Sequence, residues 1–182
     1  MSTIKKPNNL EELLICQATL DKKIGEQRHN GFTPRKKNEI DIILALDDEL
    51  QEWLKELPQE YNFKTWKQKK YNARKELEEF TDILFFYLQL INYRLQKGCI
   101  PVAAKNFLNE LAAGYDMLQP DGNVIFYVCM LKQKLWDTDY VGFLETYIKV
   151  AKARGFRKQQ IIDMYWHKYI YNLKRIQGEW SL

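Results

Sequence analysis

Residues 76–98 read ELEEFTDILFFYLQLINYRLQKG, and their spacing decides the fold class. Leu77, Phe80, Leu84, Leu88, Ile91 and Leu95 recur every three or four residues, the period of one helix face, whereas a strand would alternate polar and apolar positions. The pattern predicts a long helix from about Lys64 to Lys97, ended by Gly98 and Pro101, since glycine accepts the left-handed turn after a helix and proline cannot continue one. Within it, Ile83 to Leu95 is the longest apolar stretch in the chain. It carries Gln89, Asn92 and Arg94 and is too short to cross a bilayer, so it reads as the spine of a protein that works in water.

The same period continues on both sides and predicts an all-α bundle of about seven helices with no sheet. A first helix covers Leu10 to Glu26, with Leu10, Leu13, Leu14, Gln17 and Asp21 in line. A second covers Pro34 to Leu57, with Thr33 as its N-cap and Pro58 as its stop. After the spine come Val102 to Leu118, interrupted at Gly114, and Val124 to Trp136, divided by the turn Gln119-Pro120-Asp121-Gly122-Asn123. Thr138 or Asp139 caps a helix to Arg154 that Gly155 ends, and a last amphipathic helix runs from Arg157 to Gln177. A chain of 182 residues is one domain's worth, so residues 1–182 read as a single domain, with 102–136 as a candidate cap.

Composition excludes several classes. At 46% hydrophobic and 29% charged the chain is too apolar for disorder and too charged for a membrane bundle. A net charge of only +4 does not commit it to nucleic acid. Cys16, Cys99 and Cys129 form no CxxC pair, and His29 and His167 are the only imidazoles, so neither a disulfide framework nor a zinc site is indicated and a reducing cytoplasm fits best. Met1 to Asn9 is polar and holds no signal core.

Two carboxylate pairs carry the chemistry. Glu49 and Glu52 are three apart on the second helix and prolong the line of Ile42 and Ala45; Glu79 and Asp82 are three apart on the spine and lead into Ile83 and Phe86. Four acids facing one another would repel by about 4 kcal/mol per close pair at an effective dielectric near 20, which calls for a compensating cation. Oxygen ligands without Cys or His suit hard ions, magnesium among them. Chance alone gives about three acid-x-x-acid pairs in such a chain, and Asp47, Asp48, Glu56, Glu76 and Glu78 offer other registers, Glu76 with Glu79 foremost.

Other residues complete a candidate site. Lys168, Asn172 and Arg175 fall at i, i+4 and i+7 on the last helix, a row of donors that suits phosphate oxygens or forms part of a solvated basic face with Lys174. Gln17 and Asp21 interrupt an apolar stripe, so they need partners: a pyrimidine edge, or a hydrogen bond between helices. Trp66, within Lys64-Thr65-Trp66-Lys67, is either a core anchor or a wall for a planar base.

Taken in order, these segments resemble the dimeric, all-helical dUTP diphosphatases, relatives of the MazG-type nucleotide pyrophosphatases. Glu49-Leu50-Gln51-Glu52 and Glu79-Phe80-Thr81-Asp82 are similar to that family's ExxE and ExxD signature, with the Trp66-Lys67 segment between them. Gln17 with Asp21, which stands where asparagine is usual, resembles the base-recognition pair. Lys168, Asn172 and Arg175 resemble the C-terminal nucleotide motif, preceded by Phe143 to Gly155 as a core helix. The resemblance implies magnesium-dependent hydrolysis of dUTP, and of dUDP, to dUMP, with diphosphate released from dUTP. It places magnesium on Glu49, Glu52, Glu79 and Asp82, with Glu49 also orienting or deprotonating the attacking water. Lys67, Lys168 and Arg175 would hold phosphate; Gln17, Asp21, Trp66 and Asn172 would hold the nucleoside. It further implies a homodimer, with no membrane partner. A competing class is a helical binding protein that sets Arg35, Lys36, Lys37, Lys152, Arg154, Arg157 and Lys158 against nucleic acid or an acidic partner, or a pyrophosphatase acting on another nucleotide; nucleic acid is not the expected partner.

Overall fold

The spine helix organises the chain. In a computed structural model that describes residues 5–26, 35–100 and 102–178, seven α-helices are present among the described residues and no strand is. They are α1 (Leu10–Glu26), α2 (Glu39–Glu56), α3 (Ala73–Gln96), α4 (Val102–Ala113), α5 (Val124–Trp136), α6 (Tyr140–Ala153) and α7 (Lys158–Gly178), with one 3-10 turn at Gly114–Asp116. No described helix is long and apolar enough to cross a membrane.

α2 lies antiparallel against α3. Lys75 at the start of α3 pairs with Glu56 at the end of α2, and Arg94 near the end of α3 pairs with Glu39 at the start of α2. Leu46, Leu50 and Trp53, at i, i+4 and i+7 on α2, are fully buried, as are Phe80, Ile83 and Leu88 on α3. This shared seam is what holds Glu49 and Asp82 in fixed register. α6 covers another side of α3: Phe80 stacks on Tyr147 with centroids 4.2 Å apart, and Tyr87 stacks on Phe143 at 5.3 Å. α7 approaches through Tyr165, stacked on Phe85 at 4.2 Å. α1 is tied to the spine by Asn92 Nδ2, which donates to the Leu14 carbonyl at 2.9 Å.

Two helix starts differ from the expectation. α2 begins at Glu39, not Pro34, because Asn38 caps it and forms a reciprocal capping box with Asp41; residues 35–38 are not helical, and Thr33 and Pro34 lie outside the described residues. α3 begins at Ala73, not Lys64. Asn72 caps it by accepting from the backbone N–H of Arg74 and Lys75, and residues 57–72 form a loop instead. That loop is fastened by Lys69 to Glu56 and by Tyr71 OH, which donates to Glu76 at 2.7 Å. Of the two residues expected to end α3, Gly98 does so with φ +68°, while Pro101 lies outside the described residues. Asp139 rather than Thr138 caps α6, accepting from Gly142 N–H at 2.9 Å.

Candidate active site

Glu49 projects from α2, and Glu79 and Asp82 project from one turn of α3. An oxygen of each lies within 4.8 Å of the others. All three are half-buried, and the crowding marks their acidities. Burial first, then the charges of Asp82, Glu52 and Glu79, push the Glu49 carboxyl up to about 8. Burial raises Asp82 to about 6 against the pull of Lys168, and it raises Glu79 as well. At 4.8 Å two ionised carboxylates repel by about 3.5 kcal/mol at an effective dielectric of 20, so the group attracts a cation.

The donor set fits a hard divalent ion. It contains only oxygens, and an octahedral ion with bonds of about 2.1 Å sets its ligand atoms about 3 Å apart when adjacent and about 4 Å apart when opposite. Both separations fall inside the spacing of these carboxylates. Glu52 stands apart from the three: it is exposed, one turn along α2, yet its charge helps to raise the pKa of Glu49, Glu79 and Asp82, making each a weaker acid.

The alternative registers do not form. Glu76, three residues before Glu79, is fully buried and bound by Arg154 through Nε at 2.7 Å and Nη2 at 3.0 Å. Asp47 pairs with Lys132, Glu56 with Lys69 and Lys75, and Glu78 with Arg74. Three residues of the competing basic face are also engaged within the chain: Arg154 by Glu76 and by the Tyr61 ring, Lys158 by the Ala112 carbonyl and Lys152 by the Asp116 carbonyl.

On α7, Lys168 reaches the cluster. Its ammonium donates to Asp82 and to the Glu78 carbonyl, the latter at 3.3 Å. Asn172 is half-buried one turn further along, and Arg175, a further turn on, lies over the Tyr171 ring at 5.7 Å. Trp66, at 79% exposure, and Lys67, also exposed, sit on the 57–72 loop, so Trp66 is no core anchor.

Gln17 is buried at 4% exposure and finds partners between helices. Its Nε2 donates to Asp21 Oδ1 at 2.8 Å, and its Oε1 accepts from Tyr165 OH at 3.1 Å. Two further residues join this set: Gln89, which is not among the expected site residues, and Lys37, expected only as part of the competing basic face. Gln89 Nε2 also donates to Asp21 Oδ1, at 2.7 Å, and Lys37 Nζ reaches Gln89 Oε1 at 3.4 Å while standing 5.4 Å from the Phe86 ring centroid. The available signal was Gln89 itself, a polar residue inside the most apolar stretch and seven residues beyond Asp82.

Compared with known proteins, residues 9–180 match the family model described as dUTPase. No curated protein matches the chain.

Proposed function

The chain belongs to the dUTPase family and is a dUTP-hydrolysing enzyme; from that premise we propose a magnesium-dependent diphosphatase that converts dUTP to dUMP and diphosphate and also accepts dUDP. The observation that carries this reading is the convergence of Glu49, Glu79 and Asp82 from two helices within 4.8 Å. Those three carboxylates, with Glu52 at the rim, are the residues that would hold magnesium. When bound, the ion neutralises charge on the phosphates and acidifies water.

The chain's own residues do the rest. Glu49 orients the attacking water and takes its proton as the water oxygen bonds to phosphorus and the bond to the leaving phosphate group breaks. Lys168, already beside Asp82, and Arg175, two turns along the same helix, balance the negative charge that accumulates on the leaving group. Lys67 adds a charge from the 57–72 loop. Gln17 and Asp21 read the base, with Trp66 and Asn172 flanking the nucleoside. No covalent intermediate on the protein is required.

The enzyme works as a homodimer, in keeping with Trp66, which stands exposed beside the cationic residues of its loop. A reducing cytoplasm suits three cysteines that form no disulfide. The test is diphosphate release from dUTP with magnesium, in wild type and in Glu49→Gln. The substitution keeps the shape and removes the base, and should lower the rate by about 10²–10⁴-fold. A wild type that releases no diphosphate, or a variant at the wild-type rate, would overturn the reading.

A further inference from the structure

α3 carries a half-buried stripe, Asp82, Phe86 and Gln89 at i, i+4 and i+7, that leads away from the carboxylates. Seven helical residues rise about 10 Å, a length that one nucleoside monophosphate spans. At the far end the polar side chains of three segments meet: Gln17 and Asp21 from α1, Gln89 from α3 and Lys37 from the segment before α2.

Their hydrogen-bond capacity is only partly used. Asp21 Oδ1 accepts both amide nitrogens, and Gln17 Oε1 and Gln89 Oε1 accept from Tyr165 and Lys37. Each amide nitrogen has a second N–H, and the other carboxylate oxygen of Asp21 takes part in none of these bonds. The set therefore offers an acceptor between two donors. An imide presents the complement, an N–H between two carbonyls. Cytosine does not, since its ring N3 carries a lone pair that would face the carboxylate.

We propose that Gln89, oriented by Lys37, is a specificity-determining residue for imide bases: its free N–H donates to one uracil carbonyl, Gln17 donates to the other, and Asp21 accepts from N3–H. Lys37 is a positioning residue, holding the Gln89 carbonyl so that the amide nitrogen faces Asp21. Thymine has the same edge, so this set separates uracil from cytosine and leaves the 5-methyl group to be sensed elsewhere. The proposal rests on the reading of the carboxylate cluster as a dUTP-hydrolysing site.

Steady-state kinetics with dUTP and dCTP on wild type, Gln89→Ala and Gln89→Glu test it. Losing one donor at the base should raise KM for dUTP about tenfold with kcat unchanged in Gln89→Ala, and should reduce the dUTP preference by a similar factor. Gln89→Glu keeps the side-chain shape but replaces the donor by an acceptor, so it should weaken dUTP further and shift preference toward dCTP, whose amino group donates. Variants that fold and hydrolyse dUTP with wild-type KM and wild-type preference would overturn the proposal, as would a loss confined to kcat. A wild type inactive on dUTP would overturn the functional reading itself, a result distinct from either.

Discussion

Asp21 and Glu76 are both drawn out of water, and their partners determine what that costs. Burial pushes the Asp21 carboxyl up to about 6, against hydrogen bonds from Gln17 and Gln89 and the charge of Lys37. The folded chain thus keeps a proton that the unfolded chain, with an ordinary value of 3.8, has released. The folded state binds more protons between about pH 4 and 6, so stability falls as pH rises through that window. Asp21→Asn removes this contribution, and in urea unfolding its stability relative to wild type should climb from about pH 4.5 to about pH 7; parallel stability curves would contradict the burial argument. Glu76 is gripped instead by a two-point guanidinium contact from Arg154 and by Tyr71. Arg154→Met would strand a fully buried charge and should cost about 3–5 kcal/mol, with Arg154→Met/Glu76→Met recovering most of it; a single-variant loss under about 1 kcal/mol would show the pair to be peripheral. The sequence marked Gln17 and Asp21 as polar breaks in an apolar stripe. It could not show that Gln89, 68 residues away from Asp21, would supply the second donor, because that contact arises only when α1 packs on α3.

Helix boundaries followed capping chemistry wherever two signals competed. Thr33-Pro34 is the start expected for α2, but the helix begins after Asn38, because the side chains of Asn38 and Asp41 satisfy backbone N–H groups reciprocally. The lysine-rich segment before Asn72 carries no helix-breaking residue after Pro58, so its loop conformation was not legible from period alone. Asn62, Lys69 and Tyr71 hold it down through contacts with Leu57, Glu56 and Glu76. At the end of α5, Thr138 adopts φ +57°, a left-handed conformation that Gly98 and Gly155 take without penalty at the ends of α3 and α6. Thr138→Gly relieves that strain while leaving its carbonyl free to accept from Arg94, and should stabilise the chain by about 1 kcal/mol, or about 2–4 °C in Tm. An unchanged or lower Tm would place the favourable contribution of Thr138 elsewhere.

In the whole molecule, the antiparallel seam of α2 and α3 does two things at once: it buries the core and sets Glu49 opposite Glu79 and Asp82, with α7 bringing Lys168 to the same place. The helical class and the number of helices were legible because apolar residues at three and four leave little freedom. The acidic pairs were legible as spacings. Which acids converge was not, since it depends on where Arg154, Lys132 and Lys75 neutralise the competing acids. The central claim is that Glu49, Glu79 and Asp82 form one divalent-cation site. Anomalous diffraction from crystals grown with manganese and a non-hydrolysable dUTP analogue tests it most directly. The account predicts manganese in contact with oxygens of all three carboxylates and with the nucleotide phosphates; manganese on the phosphates alone, with the three side chains turned to solvent, would contradict it.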